Sequence, residues 1–141
     1  MNRLLFTVFI LVVNNYNELK AQNIKTAIVG GKHFVGQLDR LSFYVIKSKR
    51  DTVLNLPQAD YFDFKFKDFN KDGYKDIYLE WGGNTPERYT LYLFVPSTGK
   101  YKELKNFSDF PSANSLAGTS YYYSYYPSGC ADAAWGSHLF Y

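Results

Sequence analysis

Hydrophobic and polar residues alternate with period two along much of this chain. Phe62, Phe64 and Phe66 are interleaved with Asp63, Lys65 and Lys67, and Ile77, Leu79 and Trp81 with Tyr78 and Glu80. A period of two sends successive side chains to opposite faces of a strand. The same reading gives strands over 24–29, 40–46, 52–56, 61–67, 76–81, 89–95 and 100–104. Turn residues punctuate them: Gly30-Gly31, Ser48-Lys49-Arg50-Asp51, Pro57, the 82–86 stretch, and Pro96-Ser97-Thr98-Gly99, with proline leading and glycine last as a β-turn prefers. No stretch carries the spacing of a long amphipathic helix. The expected fold is all-β: antiparallel hairpins in a sandwich-like domain, or alternatively part of a set of propeller-like blades.

The C-terminal third is patterned differently. Residues 107–118 are rich in Ser, Asn and Pro and read as a loop. Tyrosines then occupy 121, 122, 123, 125 and 126. Two readings stand: a central strand with rings on both faces, or a contact surface, since Tyr and Trp are enriched at binding hot spots. Pro127-Ser128-Gly129-Cys130-Ala131-Asp132 reads as a further turn before Trp135. The apolar close Leu139-Phe140-Tyr141 reads as a sequence truncated at its C-terminus.

One stretch carries chemistry. Asp68-Phe69-Asn70-Lys71-Asp72-Gly73-Tyr74-Lys75-Asp76 sets oxygen-bearing side chains at positions 1, 3, 5 and 9 of a loop, with glycine at position 6. Calcium takes six to eight oxygen ligands, and this spacing wraps a short loop around one ion. Asp68, Asn70, Asp72 and Asp76 are the expected side-chain ligands, and the Tyr74 carbonyl a further one. Gly73 permits the sharp turn. Position 12 is Leu79, not the bidentate glutamate of an EF-hand, and Glu80 comes one residue late. The flanks read as strands, so the expected site is a calcium loop between strands. The competing reading is an Asp/Asn/Gly turn that binds nothing.

The N-terminus reads as an export signal: Met1-Asn2-Arg3, then an apolar run over 4–13, then a polar stretch ending at Ala21. A run of about ten residues is too short for a membrane-spanning helix. Cleavage after Ala21 is expected, leaving 22–141 as a single exported β domain, periplasmic or extracellular. The whole chain holds 16 basic and 13 acidic residues. Loss of Arg3, Lys20 and Glu18 would leave a net charge of +2, with basic residues scattered, so neither nucleic acid nor a membrane surface is an expected partner. Cys130 is the sole cysteine; an exported chain ordinarily pairs its thiols.

The loop 68–77 resembles the calcium loop of FG-GAP-type repeats, which lies between strands of a propeller blade. A broader stretch, 35–105, is similar to small exported bacterial proteins related to periplasmic lysozyme inhibitors and peptidoglycan-hydrolase immunity proteins. The hairpin halves 38–45 and 52–56, the aspartate-rich loop, and the hairpin 92–101 carry that similarity. The resemblance implies a β-sandwich, a structural calcium ion and, in some members, inhibition of a cell-wall hydrolase by an inserted loop bearing a Ser-Gly pair and a tyrosine. Ser128-Gly129 matches the pair; position 132 is Asp. Tyr123, Tyr125, Ser128 and Gly129 are then the candidate partner-binding residues.

Other chemistry has thin support. Cys130 and His138, with Asp132 to orient the imidazole, are a conceivable nucleophile pair, but no local signature surrounds them. Glu80, Glu87, Glu103, Asp109 and Asp132 are the carboxylates from which a glycosidase pair would come. No phosphate loop, zinc spacing or RNA-binding stripe occurs. The expectation is a non-enzymatic exported domain with one calcium ion that binds a macromolecule, a peptidoglycan hydrolase being the most specific candidate. The alternatives are an FG-GAP-like structural or adhesive module and a small Cys/His hydrolase.

Overall fold

A computed structural model describes residues 23–39, 42–48, 51–57, 61–82, 87–119, 121–128 and 134–140. The described residues form antiparallel sheets and no α-helix. Strands β1 (Asn23–Val29), β2 (Lys32–Leu38), β3 (Ser42–Ser48) and β4 (Asp51–Pro57) make a four-stranded meander. Strands β5 (Asp63–Lys67), β6 (Asp76–Glu80), β7 (Tyr89–Val95) and β8 (Lys100–Leu104) make a second. A third sheet has the order β11 (Ala134–Phe140), β10 (Tyr122–Ser128), β9 (Asn114–Ser115). No helix among the described residues is long and apolar enough to cross a membrane.

The first hairpin turns on Gly30 and Gly31, with φ of 55° and 74°. A two-residue hairpin turn of this hand requires positive φ at both positions, which glycine adopts without strain. Asp39 closes the next turn: its carboxylate accepts the Ser42 N–H at 2.8 Å. β4 follows β3 with register shifts between Val45 and Ser48, and Pro57 sits on this edge strand where a missing N–H is tolerated.

The second sheet is the middle layer. Its β6 and β7 are buried on both faces. Phe64, Ile77, Leu79, Tyr92, Phe94 and Tyr101 face the first sheet and pack with Val29, Phe34, Leu38, Phe43, Val45 and Val53. Tyr78, Tyr89 and Leu91 face the other way, onto a smaller core with Phe69, Phe107 and Ala113. A 3-10 turn, Phe107–Asp109, and the chain after it cover that side. At their edges the two large sheets approach one another, β1 beside β5 and β4 beside β8, without closing into a barrel. Lys25 of β1 donates to both carboxylate oxygens of Asp63 on β5, at 2.7 and 2.8 Å, and Asn23 donates to the same carboxylate.

The period-two expectation for these strands holds, and β7 and β8 fall where the alternation puts them. Three strands escape it. β2 and β11 each contain a glycine that blurs the alternation of residue types, although β2 alternates in burial from Phe34 to Leu38, and β9 lies inside the stretch read as loop. The third sheet also makes the architecture three-layered rather than a plain two-sheet sandwich. The 1–22 segment, Gly129, Cys130 and Asp132 lie outside the described residues.

Candidate functional site

The aspartate-rich loop connects β5 to β6, the first two strands of the second meander. Lys67 pairs with Asp76 at its base. Within the loop, side-chain oxygens accept backbone N–H groups in a nested series. Asp68 Oδ2 accepts from Gly73 at 3.0 Å, Asn70 Oδ1 from Asp72 at 3.3 Å, and Asp72 Oδ1 from Tyr74 at 2.8 Å. The latter two are Asx turns, in which a short polar side chain stands in for a backbone turn. Gly73 takes φ 89° and Lys71 φ 60°, so the chain reverses at the glycine as its position demands. No atom lies within 4 Å of the Cβ that Gly73 lacks; conformation, not space, requires glycine there.

Asp76 differs from the others. It is fully buried. Its Oδ2 accepts the Phe69 N–H at 2.8 Å, and its Oδ1 the Phe94 N–H at 2.9 Å. It therefore ties the loop's second residue to β7. Burial pushes its carboxyl above the ordinary value, with the charges of Asp72 and Asp68 adding to the push; the two backbone donors oppose it. Tyr74 turns its ring away, against Phe94 at 5.4 Å between centroids. Its position-7 role rests on its carbonyl alone. The next carbonyl, of Lys75, accepts from the Tyr101 hydroxyl at 3.2 Å.

One loop oxygen has no partner. Asp68 Oδ1 is buried and makes no hydrogen bond among the described residues. A buried carboxylate oxygen without a donor costs the full desolvation of that atom. Two carboxylates near enough to add to the upward push on Asp76, one orphaned oxygen and only oxygen donors are a donor set that suits a hard divalent cation. Among the described residues no three His, Cys, Asp or Glu side chains already converge as a metal cluster. Asn70 and a backbone carbonyl would have to complete the ligand set. Glu80 does not belong to it: it stands at the far end of β6, paired with Asp63 and Tyr89.

Phe69 is the residue whose importance sequence spacing missed. Lying between the first two ligand positions, it points away from them into the smaller core. There it stacks on Tyr122 of β10 and meets Phe107 edge-on at 5.1 Å. Phe69 and Asn70 also wall an apolar cavity of about 240 Å³, with Leu93, Leu104, Phe107 and Tyr122 around it. That is below the roughly 300–1,000 Å³ of small-molecule sites, a size for one inserted side chain.

The tyrosine run divides between the two faces of β10. Tyr122 and Ser124 turn inward, and Ser124 Oγ donates to the Pro111 carbonyl. Tyr121, Tyr123 and Tyr125 are exposed, as are Trp135 and Leu139 on β11. The Tyr125 and Trp135 rings stack at 4.9 Å with planes 6° apart. β10 is thus central in its sheet, yet one of its faces is uncovered. Ser128 pairs with Ala134 at the end of the hairpin, and Gly129 falls in the connection 129–133, outside the described residues. His138 faces Tyr126, whose hydroxyl is 3.4 Å from Nε2, and its ring meets Phe110.

The chain matches no protein family, no curated protein and no solved structure.

Proposed function

We propose that this chain is an exported, non-enzymatic β domain that carries one structural calcium ion and binds a protein partner through its third sheet. The observation that carries the metal reading is the buried, unpartnered Asp68 Oδ1 in a loop of nested carboxylate turns. Asp68, Asn70, Asp72 and Asp76, with the Tyr74 carbonyl, would hold the ion. Calcium would neutralise charges that otherwise repel one another, and so stiffen the β5–β6 connection. No catalytic role is assigned to any residue.

Uncovered Tyr123 and Tyr125, beside Trp135, support the partner reading, because rigid aromatic side chains make good anchors at low entropic cost. The resemblance to lysozyme inhibitors makes a lysozyme-like peptidoglycan hydrolase the most specific partner. A cell-wall lysis assay with equimolar protein in calcium should lose most of its rate, and Tyr125→Ala should restore it. Full lysis at a molar excess of wild-type protein would remove the hydrolase from the reading.

A second reading has its own support. Two four-stranded meanders follow one another in sequence and share a core face to face, and the aspartate loop joins the first two strands of the second. Propeller blades are four-stranded sheets of this kind. An FG-GAP-like structural or adhesive module fits that arrangement, and it would bind without inhibiting lysis.

A further inference from the structure

The chain leaves β8 through a left-handed step. Asn106 takes φ 62°, and the Phe107–Asp109 turn follows at once. The Asp109 N–H donates to the Asn106 carbonyl at 3.0 Å, and the Phe110 N–H to the Phe107 carbonyl at 3.0 Å. This step sets Phe107 and Phe110 around the apolar cavity of about 240 Å³, opposite Phe69 and Tyr122. The aromatic walls hold one another in place. Phe69 stacks on Tyr122 and meets Phe107 edge-on, and both Phe69 and Phe107 are buried. Folded interiors keep few voids larger than a water molecule. Apolar walls give water too few partners, and a dry apolar cavity of about 150 Å³ takes up benzene.

Charge is confined to the mouth. Among the described residues Lys105 alone brings a charge to the lining. It is exposed, and it makes no ion pair or hydrogen bond among them. On the loop side Asn70 donates its amide to Asp72 Oδ2 at 2.9 Å, so that wall is polar but uncharged. We propose that the cavity is a binding site for a small monocarboxylate bearing one aromatic ring or a short hydrocarbon chain. The apolar part lies among Phe69, Phe107 and Tyr122, and the carboxylate accepts from Lys105 Nζ. Apolar walls supply affinity and the charge-assisted hydrogen bond supplies orientation. A cation would be repelled by Lys105, and a neutral ligand would gain nothing from it. The site depends on neither the calcium ion nor the hydrolase partner.

Titration of the full chain with phenylacetate, followed through the amide NMR signals, tests it. Phenylacetamide, of the same shape but uncharged, is the comparison. Phenylacetate should shift the signals of 104–110 and Tyr122 and saturate in the millimolar range. Phenylacetamide should bind about tenfold more weakly. Lys105→Met, an exposed change, should bring phenylacetate down to the level of the amide and leave the amide as it was. Leu104→Trp, with unchanged circular dichroism, fills the cavity and should abolish both. Wild-type protein that shows no saturation, or shifts confined to other segments, overturns the proposal. So does equal binding of acid and amide, or a Lys105→Met variant that keeps the preference for the acid, whether or not Leu104→Trp folds.

Discussion

The ring of Phe69 lies stacked on the ring of Tyr122, with centroids 4.5 Å apart and planes 12° apart. Phe69 belongs to the aspartate loop and Tyr122 to the third sheet, so this contact joins the candidate metal site to the candidate partner surface. The Phe69 N–H is bonded to buried Asp76 on the other side. Phe69→Ala should therefore cost about 3–5 kcal/mol, as for other buried aromatic truncations. Urea unfolding measures it; a loss under about 1 kcal/mol would mean that the third sheet is held elsewhere.

Asp76 and Asp72 should behave differently when neutralised. Asp76→Asn leaves one amide N–H₂ facing a backbone N–H of Phe69 or Phe94. The cost should be about 1–3 kcal/mol in chelator as well as in calcium. Asp72 is exposed and holds only loop partners, so Asp72→Ala should change the melt little in chelator. Equal losses for the two variants in chelator would contradict this division of roles.

Gly36 and Gly136 explain much of what the sequence concealed. A Cβ on Gly36 would stand 2.6 Å from the Phe64 ring, and one on Gly136 2.5 Å from the Tyr126 ring. Each glycine interrupts the alternation of its strand, and β2 and β11 are the seven-residue strands that pattern missed. The reason for each glycine is a ring on another strand, which a local pattern cannot carry. By contrast, β7 and β8 were legible because Pro96–Gly99 is a self-sufficient turn, with Thr98 and Gly99 both bonded to the Val95 carbonyl. The loop's polar spacing was legible too. The inward turn of Phe69 was not, because the spacing speaks only of ligand positions.

Gly36→Ala follows from the same contact. Phe64 is 1% exposed and packed tilted against Phe43, so its ring has nowhere to retreat. Overpacking of this kind costs about 1–3 kcal/mol. A thermal melt of the variant within a degree of wild type would show that the two sheets can separate locally.

The Lys25–Asp63 bridge gives a pH dependence. Burial works to raise the Asp63 carboxyl, but hydrogen bonds from Lys25, the Phe64 backbone and Asn23, with the Lys25 charge, outweigh it and hold it below its ordinary 3.8. A depressed carboxyl stabilises the fold fully above the ordinary value, and that contribution is lost as pH falls through the folded one. Lys25→Met should therefore destabilise at neutral pH by no more than about 1 kcal/mol, because the pair is partly exposed. The difference from wild type should shrink below pH 3.8. A gap that stays constant into strong acid would assign the loss to packing of the lysine stem.

The calcium loop is tested most directly by thermal unfolding of the wild-type protein in millimolar calcium and in chelator, with Asp72→Ala alongside. Binding to the folded state alone stabilises by about 2.7 kcal/mol at a hundredfold excess over Kd, roughly ten degrees for a domain of this size. The wild-type transition should rise by that order in calcium, and the Asp72→Ala transition should not. Superimposable wild-type melts in calcium and chelator would contradict the metal site and leave an Asp-rich turn that binds nothing.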